Sequence, residues 1–317
     1  MSTAYRKICI FLIAIHLGLL PSCKGCHQKK EAPLPTSSGA KAKFLTASKW
    51  LPKDPDFILS VDTYTLTQTE LWHTAIEPHL NALPRLGRPP IDPKKIGLIA
   101  MAINVDGGNK VVGVMEGEFD SQSVIKDINN ALGRTTGLKE EKYLNTSIYY
   151  DNNTSEYALS PLDGGLILFG DTESVKEILK RGRQEAQTDS GVLKILTQDM
   201  DWGAPILLAG MIPAEAGGNA SKTTKNQPTL AADLENTIIT ARVGVGKDLD
   251  AAVSLKGKDD AASIQKSSLT LTFLTSLLQS ALPSAQTSVT EEKDGKVSAN
   301  VHIKGEELQR LIEGAKK

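Results

Sequence analysis

Cys23-Lys24-Gly25-Cys26-His27 is the stretch of this sequence whose residue types and spacing most directly spell out a chemistry. C-x-x-C-H is the attachment motif of c-type haem: two thioethers fix the porphyrin and the histidine binds its iron. The surroundings disfavour that use. Gln28 to Lys43 (QKKEAPLPTSSGAKAK) is dominated by Lys, Ala, Pro, Ser and Gly, a composition that cannot build the pocket that buries a haem. No second C-x-x-C-H occurs.

A second chemistry claims Cys23. Met1 to Lys7 carries Arg6 and Lys7 and no acid, and Ile8 to Leu20 is an apolar run broken only by His16. The run is too short to cross a bilayer as a helix, which takes about 20 apolar residues. A basic start followed by a short apolar core predicts a secretory signal peptide over 1–22. It ends on Leu20-Pro21-Ser22-Cys23, which resembles a bacterial lipobox. The resemblance implies a diacylglycerol thioether on Cys23, cleavage before it and acylation of its amine. Two or three acyl chains anchor a protein stably, at about 0.8 kcal/mol per buried CH₂. Lipid and haem exclude each other at Cys23, and the sequence favours lipid. Lys24, where some lipoproteins carry the Asp that retains them in the inner membrane, implies by the same resemblance an outer-membrane protein facing the periplasm or cell surface. Cys9 leaves with the signal, so the body of the chain has no internal disulfide, although its compartment would permit one.

Elsewhere the chemistry thins out. His73 and His79 lie six apart, on different faces of a helix. His302 alternates with Val301 and Ile303 and so belongs on the outer face of a strand. Glu116 and Glu118 share a strand face at i, i+2, which reads as a solvated surface rather than a cation site. Asp62 ends a strand, where a turn or helix cap is its expected role. No phosphate-binding loop, zinc-protease helix, nucleophile elbow or dinucleotide fingerprint is present. No catalytic, metal-ligating or cofactor-holding set is expected; covalent haem at Cys23, Cys26 and His27 is the alternative.

The elements that would carry these residues can be read in order. Lys24 to Lys49 holds Lys24, Lys29, Lys30, Lys41, Lys43 and Lys49 against Glu31, and residues 23–49 read as a flexible, lipid-anchored linker. Two stretches then share an order of signals, one over 50–200 and one over 201–317. Trp50 and Trp202 each precede a Pro and a short apolar strand, at Phe57–Asp62 and Ile206–Ile212. A hairpin follows in each, Ile96–Val105 with Lys110–Phe119 around a Gly pair, and Thr237–Gly246 with Leu249–Lys256. Each hairpin leads to an Asp-capped amphipathic helix, from Asp120 and from about Asp259. Each stretch closes on a strand and a short helix, Gly164–Phe169 then Thr172, and Lys296–Ile303 then Gly305. This predicts an α+β fold of two related units, antiparallel sheets with helices packed on one face. Asp189 to Met200 reads as a connecting helix.

Leu51-Pro52-x-Asp54, the strand end Val61-Asp62 and Leu71-Trp72 look like the opening of an uncharacterised family of exported bacterial proteins with tandem α+β units, frequently behind a lipoprotein signal. The resemblance covers about Trp50 to Arg181. It implies fold and export, and no activity or site residue.

One helix is unusual. Ser267 to Thr290 has no charged residue across 24 positions, while Leu271, Phe273, Leu274, Leu277, Leu278 and Leu282 recur among Ser, Thr and Gln. Two readings follow: burial between the two units, or a docking face for a partner or lipid. The net charge of −1 argues against nucleic acid as a partner. The expectation is a non-catalytic, membrane-anchored envelope protein that binds or scaffolds another envelope protein. A carrier or sensor of an apolar ligand and a c-type haem protein are the alternatives.

Overall fold

A computed structural model of the 317-residue chain describes residues 38–77, 92–105, 110–132, 137–151, 156–184, 191–213, 234–258 and 260–314. The fold is α+β, with antiparallel sheet and packed helices. Contacts divide it into two units. The first comprises the described parts of Met1–Pro52, Val61–Met101 and Val111–Ala186; the second those of Lys53–Ser60, Ala102–Lys110 and Gln187–Lys317.

In the first unit, β2 (Ile96–Asn104) lies beside β3 (Lys110–Gly117), and β3 pairs with β7 (Leu166–Asp171). The order continues outward through β6 (Tyr157–Leu162), β5 (Thr146–Asp151) and β4 (Leu138–Tyr143), all antiparallel. β2 and β7 are buried at nearly every position, so their sequences read as continuous apolar runs rather than alternations. Helix α3 (Ser121–Leu132) packs on β6 through Val124 and Ile125, and α4 (Thr172–Arg181) packs on β6 and β7 through Val175 and Ile178.

The linker expectation fails over its C-terminal part. Ser38–Ser48 is a helix, α1. Its Ala and Lys residues favour helix, but tertiary packing decides the matter: Phe44 and Ala47 are fully buried. The chain leaving it is tied down by Gln184 N–H donating to Lys49 O (3.2 Å) and Arg181 Nη2 donating to Leu51 O (2.8 Å). The short helix α2 (Thr63–Thr67) follows. A π-helical turn follows at Trp72–Ile76, with Leu71 and Trp72 buried; residues 78–91, including Pro78 and His79, lie outside the described residues.

In the second unit the strand order is β11 (Gln286–Glu291), β12 (Lys296–Ile303), β10 (Leu249–Lys256), β9 (Ile238–Val245), β8 (Ile206–Met211), β1 (Phe57–Val61). Met211 N–H donates to Asp56 O (2.8 Å), and the Asp56 carboxylate accepts from Val105 N–H (2.7 Å). Gly210 is required where β8 runs beside Phe57, because a Cβ there would collide with the phenyl ring. The connecting helix is a short turn, α5 (Gly191–Lys194), continued by a π-helical turn at Ile195–Asp199. Trp202 Nε1–H donates to Leu196 O (3.1 Å) and closes that segment.

Helix α6 (Ala261–Ala281) packs on β10, β11 and β12. Its Leu271 joins Leu234, Leu255, Val297 and Ala299 in a core bordered by Ile239, Val253, Ile264 and Val289. Helix α7 (Gly305–Gly314) closes the chain. The units share part of a local order: a hairpin, an Asp-capped helix, a closing strand beside the second hairpin strand (β7 beside β3, β12 beside β10) and a helix, but four strands (β4 to β7) follow the capped helix in the first unit and two (β11, β12) in the second.

Candidate functional site

The residues with the most explicit chemistry, Cys23, Cys26 and His27, lie outside the described residues, as do His79 and the signal segment. The others are placed. Asp62 is a helix cap: its Oδ1 accepts from Thr65 N–H (3.0 Å) and its Oδ2 from the Thr65 hydroxyl (2.6 Å). His73 is exposed, with Nδ1 2.6 Å from Glu77 Oε2 one helical turn away. Among the described residues no group of three or more His, Cys, Asp or Glu is arranged to hold a metal ion.

Glu116 departs from the solvated face expected of it. Its side chain is 20% exposed, Oε2 is buried without a hydrogen-bond partner, and Lys43 Nζ of α1 stands 4.0 Å away. Burial raises its pKa, against the opposing pull of the Lys43 ammonium. Glu118 lies beyond the end of β3 and its backbone N–H donates to Lys95 O (2.8 Å), so the two acids do not form a pair on one strand.

His302 leads to a surface that the sequence does not announce. It sits on β12, directly opposite Asp250 of β10, with Nδ1 2.7 Å from Asp250 Oδ1 and Nε2 3.9 Å from Asp248 Oδ2. The strand register extends this into rows. One runs Gly244, Asp250, His302, Gln286; the next Arg242, Ala252, Asn300, Ser288; the third Thr240, Ser254, Ser298, Thr290. Successive residues of a strand point to opposite faces, so these even-numbered positions lie together, away from the Leu255–Val297–Ala299 core under α6. Arg242 Nη1 approaches Asp201 Oδ2 at 3.9 Å. The Ser254 and Ser298 hydroxyls are 2.8 Å apart, and Ser298 donates to Glu292, whose carboxylate also accepts from Lys296 Nζ (3.0 Å). These hydrogen bonds, the Ser298 bond first, hold the Glu292 pKa low.

The first two rows floor an open depression of about 610 Å³, lined by Asp201, Arg242, Asp250, Asn300, His302, Gln286 and their neighbours. Hydrogen-bond donors and acceptors stand in register there, which suits contact with polar groups. His302 lies between two carboxylates, and no hydroxyl is hydrogen-bonded to it among the described residues. That arrangement orients an imidazole without giving it a nucleophile to activate. The available signal was alternation: in β10 and β12 every odd position is apolar, and every even position except Ala252 is polar.

The other face of the same sheet carries α6, whose apolar residues divide: Leu271 is buried and four others are exposed. Leu269, Phe273, Leu274 and Leu277 are 64%, 51%, 47% and 52% exposed, while Ser267, Thr270 and Thr275 are buried beside Leu271. Among the described residues no helix is long and apolar enough to cross a membrane. Comparison with protein-family models, curated proteins and solved structures finds no match to this chain.

Proposed function

We propose that this chain is a non-catalytic lipoprotein of the bacterial envelope, held by lipid on Cys23 and presenting the polar face of β9–β12 to a protein partner. The observation that carries the reading is a coincidence in sequence: the apolar signal core stops where Leu20-Pro21-Ser22-Cys23 resembles a lipobox. The polar rows around Arg242, Asn300 and His302 supply a broad, open surface with paired charges, the kind of rim that fixes register between proteins. The outer membrane is its expected location, by the Lys24 argument. The shared order of hairpin, helix and closing strand in the two units supports their origin by duplication.

Mass spectrometry of the protein from membrane fractions tests the anchor. The N-terminal peptide is expected to begin at Cys23 and to carry diacylglycerol and an N-acyl group. A free Cys23 thiol sinks the anchor, and a Soret band from covalent haem would replace lipid with the alternative chemistry at the same residue. A photo-crosslinking residue at Asn300 tests the partner surface in cells. One discrete adduct, lost on Arg242→Glu, is expected; no adduct at Asn300 sinks this part of the proposal.

A further inference from the structure

Helix α6 is turned inside out relative to an ordinary surface helix. Its hydroxyl residues Ser267, Thr270 and Thr275 face the sheet, and Leu269, Phe273 and Leu277, spaced i, i+4, i+8, form an exposed ridge with Leu274 beside it. The exposed positions from Leu269 to Ala281 include no charge. An amphipathic helix facing water carries charge on its wet side.

We propose that this ridge lies in the boundary between headgroups and acyl chains of a lipid bilayer, and so turns the polar face of β9–β12 away from the membrane. The inference rests on the lipid anchor proposed above, and three observations favour lipid as the occupant. First, the helix is prepared for a medium without water. On the outward side the exposed Ser276 hydroxyl donates to Thr272 O (2.8 Å), so it is satisfied within the helix. Second, the patch is small for a protein pair. About half of each of four large side chains amounts to roughly 400 Å², where a stable protein–protein interface buries about 800 Å² on each partner. A contact of that size suffices for a body already held at a membrane, because the tether turns binding into an intramolecular event.

Third, the tether is long enough not to dictate orientation. Residues 24–37 separate Cys23 from the start of α1 and span at most about 50 Å when extended. That reach is several times the depth of one headgroup layer, so the anchor does not pin α1 to the bilayer surface. The leash therefore leaves open which surface meets the bilayer, and the uncharged apolar ridge decides it. Opposite faces of one sheet then divide the work: α6 covers the membrane side and the His302 rows face outward.

The test uses the mature full chain bearing Phe273→Trp, with Asn300→Trp as the control on the opposite face. Each is reconstituted in phosphatidylcholine vesicles containing lipids spin-labelled on the acyl chain, and the parent chain's tryptophan emission is subtracted. The Phe273→Trp indole is expected to be quenched at least twofold more than the Asn300→Trp indole. Equal quenching while the protein floats with the vesicles overturns the inference and leaves the anchor standing. A second arm separates the two readings. The mature chain carrying Cys23→Ser together with Phe273→Trp is titrated with vesicles at high lipid concentration. Lipid-dependent quenching is expected there too, lost in Leu269→Ser/Leu277→Ser. No quenching at any lipid concentration overturns the inference, as does an emission shift that follows protein concentration instead of lipid, which assigns the ridge to a second copy of the chain.

Discussion

Helices α3 and α6 follow the same kind of hairpin and start in the same way, yet they turn different kinds of residue outward. Asp120 Oδ2 accepts from Ser123 N–H at 2.9 Å, and Asp260 Oδ1 from Ser263 N–H at 2.7 Å. From those matched caps α3 turns Val124 and Ile125 inward and leaves Lys126 and Asp127 in water. Helix α6 turns Leu271 inward and leaves Leu269, Phe273 and Leu277 outside. The difference shows that the cap fixes where a helix begins, while the direction of its apolar stripe is set by what each side of the helix meets. In α6 a single large residue, Leu271, joins the core cluster, where α3 brings two.

The comparison breaks most readily at the inward residues. Leu271→Ala and Ile125→Ala should each cost about 2–5 kcal/mol, because each leaves a cavity in a packed core. Leu269→Ser, Phe273→Ser and Leu277→Ser should each change stability by no more than about 0.5 kcal/mol in water, since they remove exposed apolar surface. Urea unfolding of the full chain measures both sets. Outer-face substitutions as costly as Leu271→Ala would mean that the ridge is packed against the protein itself.

The caps give a smaller effect that should be equal in the two helices. Hydrogen bonds from Ser123 and Ser263 hold the Asp120 and Asp260 carboxyls below the usual range. A carboxyl with a depressed folded pKa contributes stability above its unfolded pKa, about 3.9, and loses it as pH falls through the folded value. Asp120→Ala and Asp260→Ala should therefore both destabilise at neutral pH, and both differences from the parent should shrink in acid. Thermal melts between pH 7 and pH 2.5 check this; a cap effect confined to one helix would show that the helices do not begin alike.

The hairpins and caps were legible in the sequence because their signals are local. Gly-rich turns separate runs of apolar and β-branched residues, and Asp stands just before each helical period. What stayed hidden depends on distant partners. Strand β4, Leu-Lys-Glu-Glu-Lys-Tyr, has four charges in a row and becomes a strand by pairing with β5. β11 is almost without apolar residues and is fixed by β12 on one side and α6 above. Helix α1 looked like linker because only Phe44 and Ala47 are fully buried, a stripe too narrow to read as periodicity. On the candidate surface, the outward position of His302 follows from alternation alone. Its neighbour Asp250 is 52 residues away, and only the β10–β12 register brings the two together. For α6, the absence of charge was visible but the direction of its face was not, because Leu and Thr repeat on both sides.

The smallest effect concerns the acid that α1 helps to bury. Glu116 stands against Lys43 of α1, and burial raises its pKa more than Lys43 lowers it. Its sign is opposite to that of the caps. A carboxyl whose folded pKa exceeds its unfolded value, about 4.3, makes the folded state bind more protons between the two values, so stability falls as pH rises through that window. Above it, the ionised Glu116 carries the cost of burial with Oε2 unsatisfied. Glu116→Gln removes the charge and keeps the shape. It should raise the melting temperature slightly at pH 7, and the gain should vanish as pH drops below the ordinary glutamate range. A lower melting temperature for Glu116→Gln at pH 7 would reverse the balance: attraction to Lys43 would then outweigh the cost of burying the carboxylate, and the docking of α1 would be electrostatic rather than apolar.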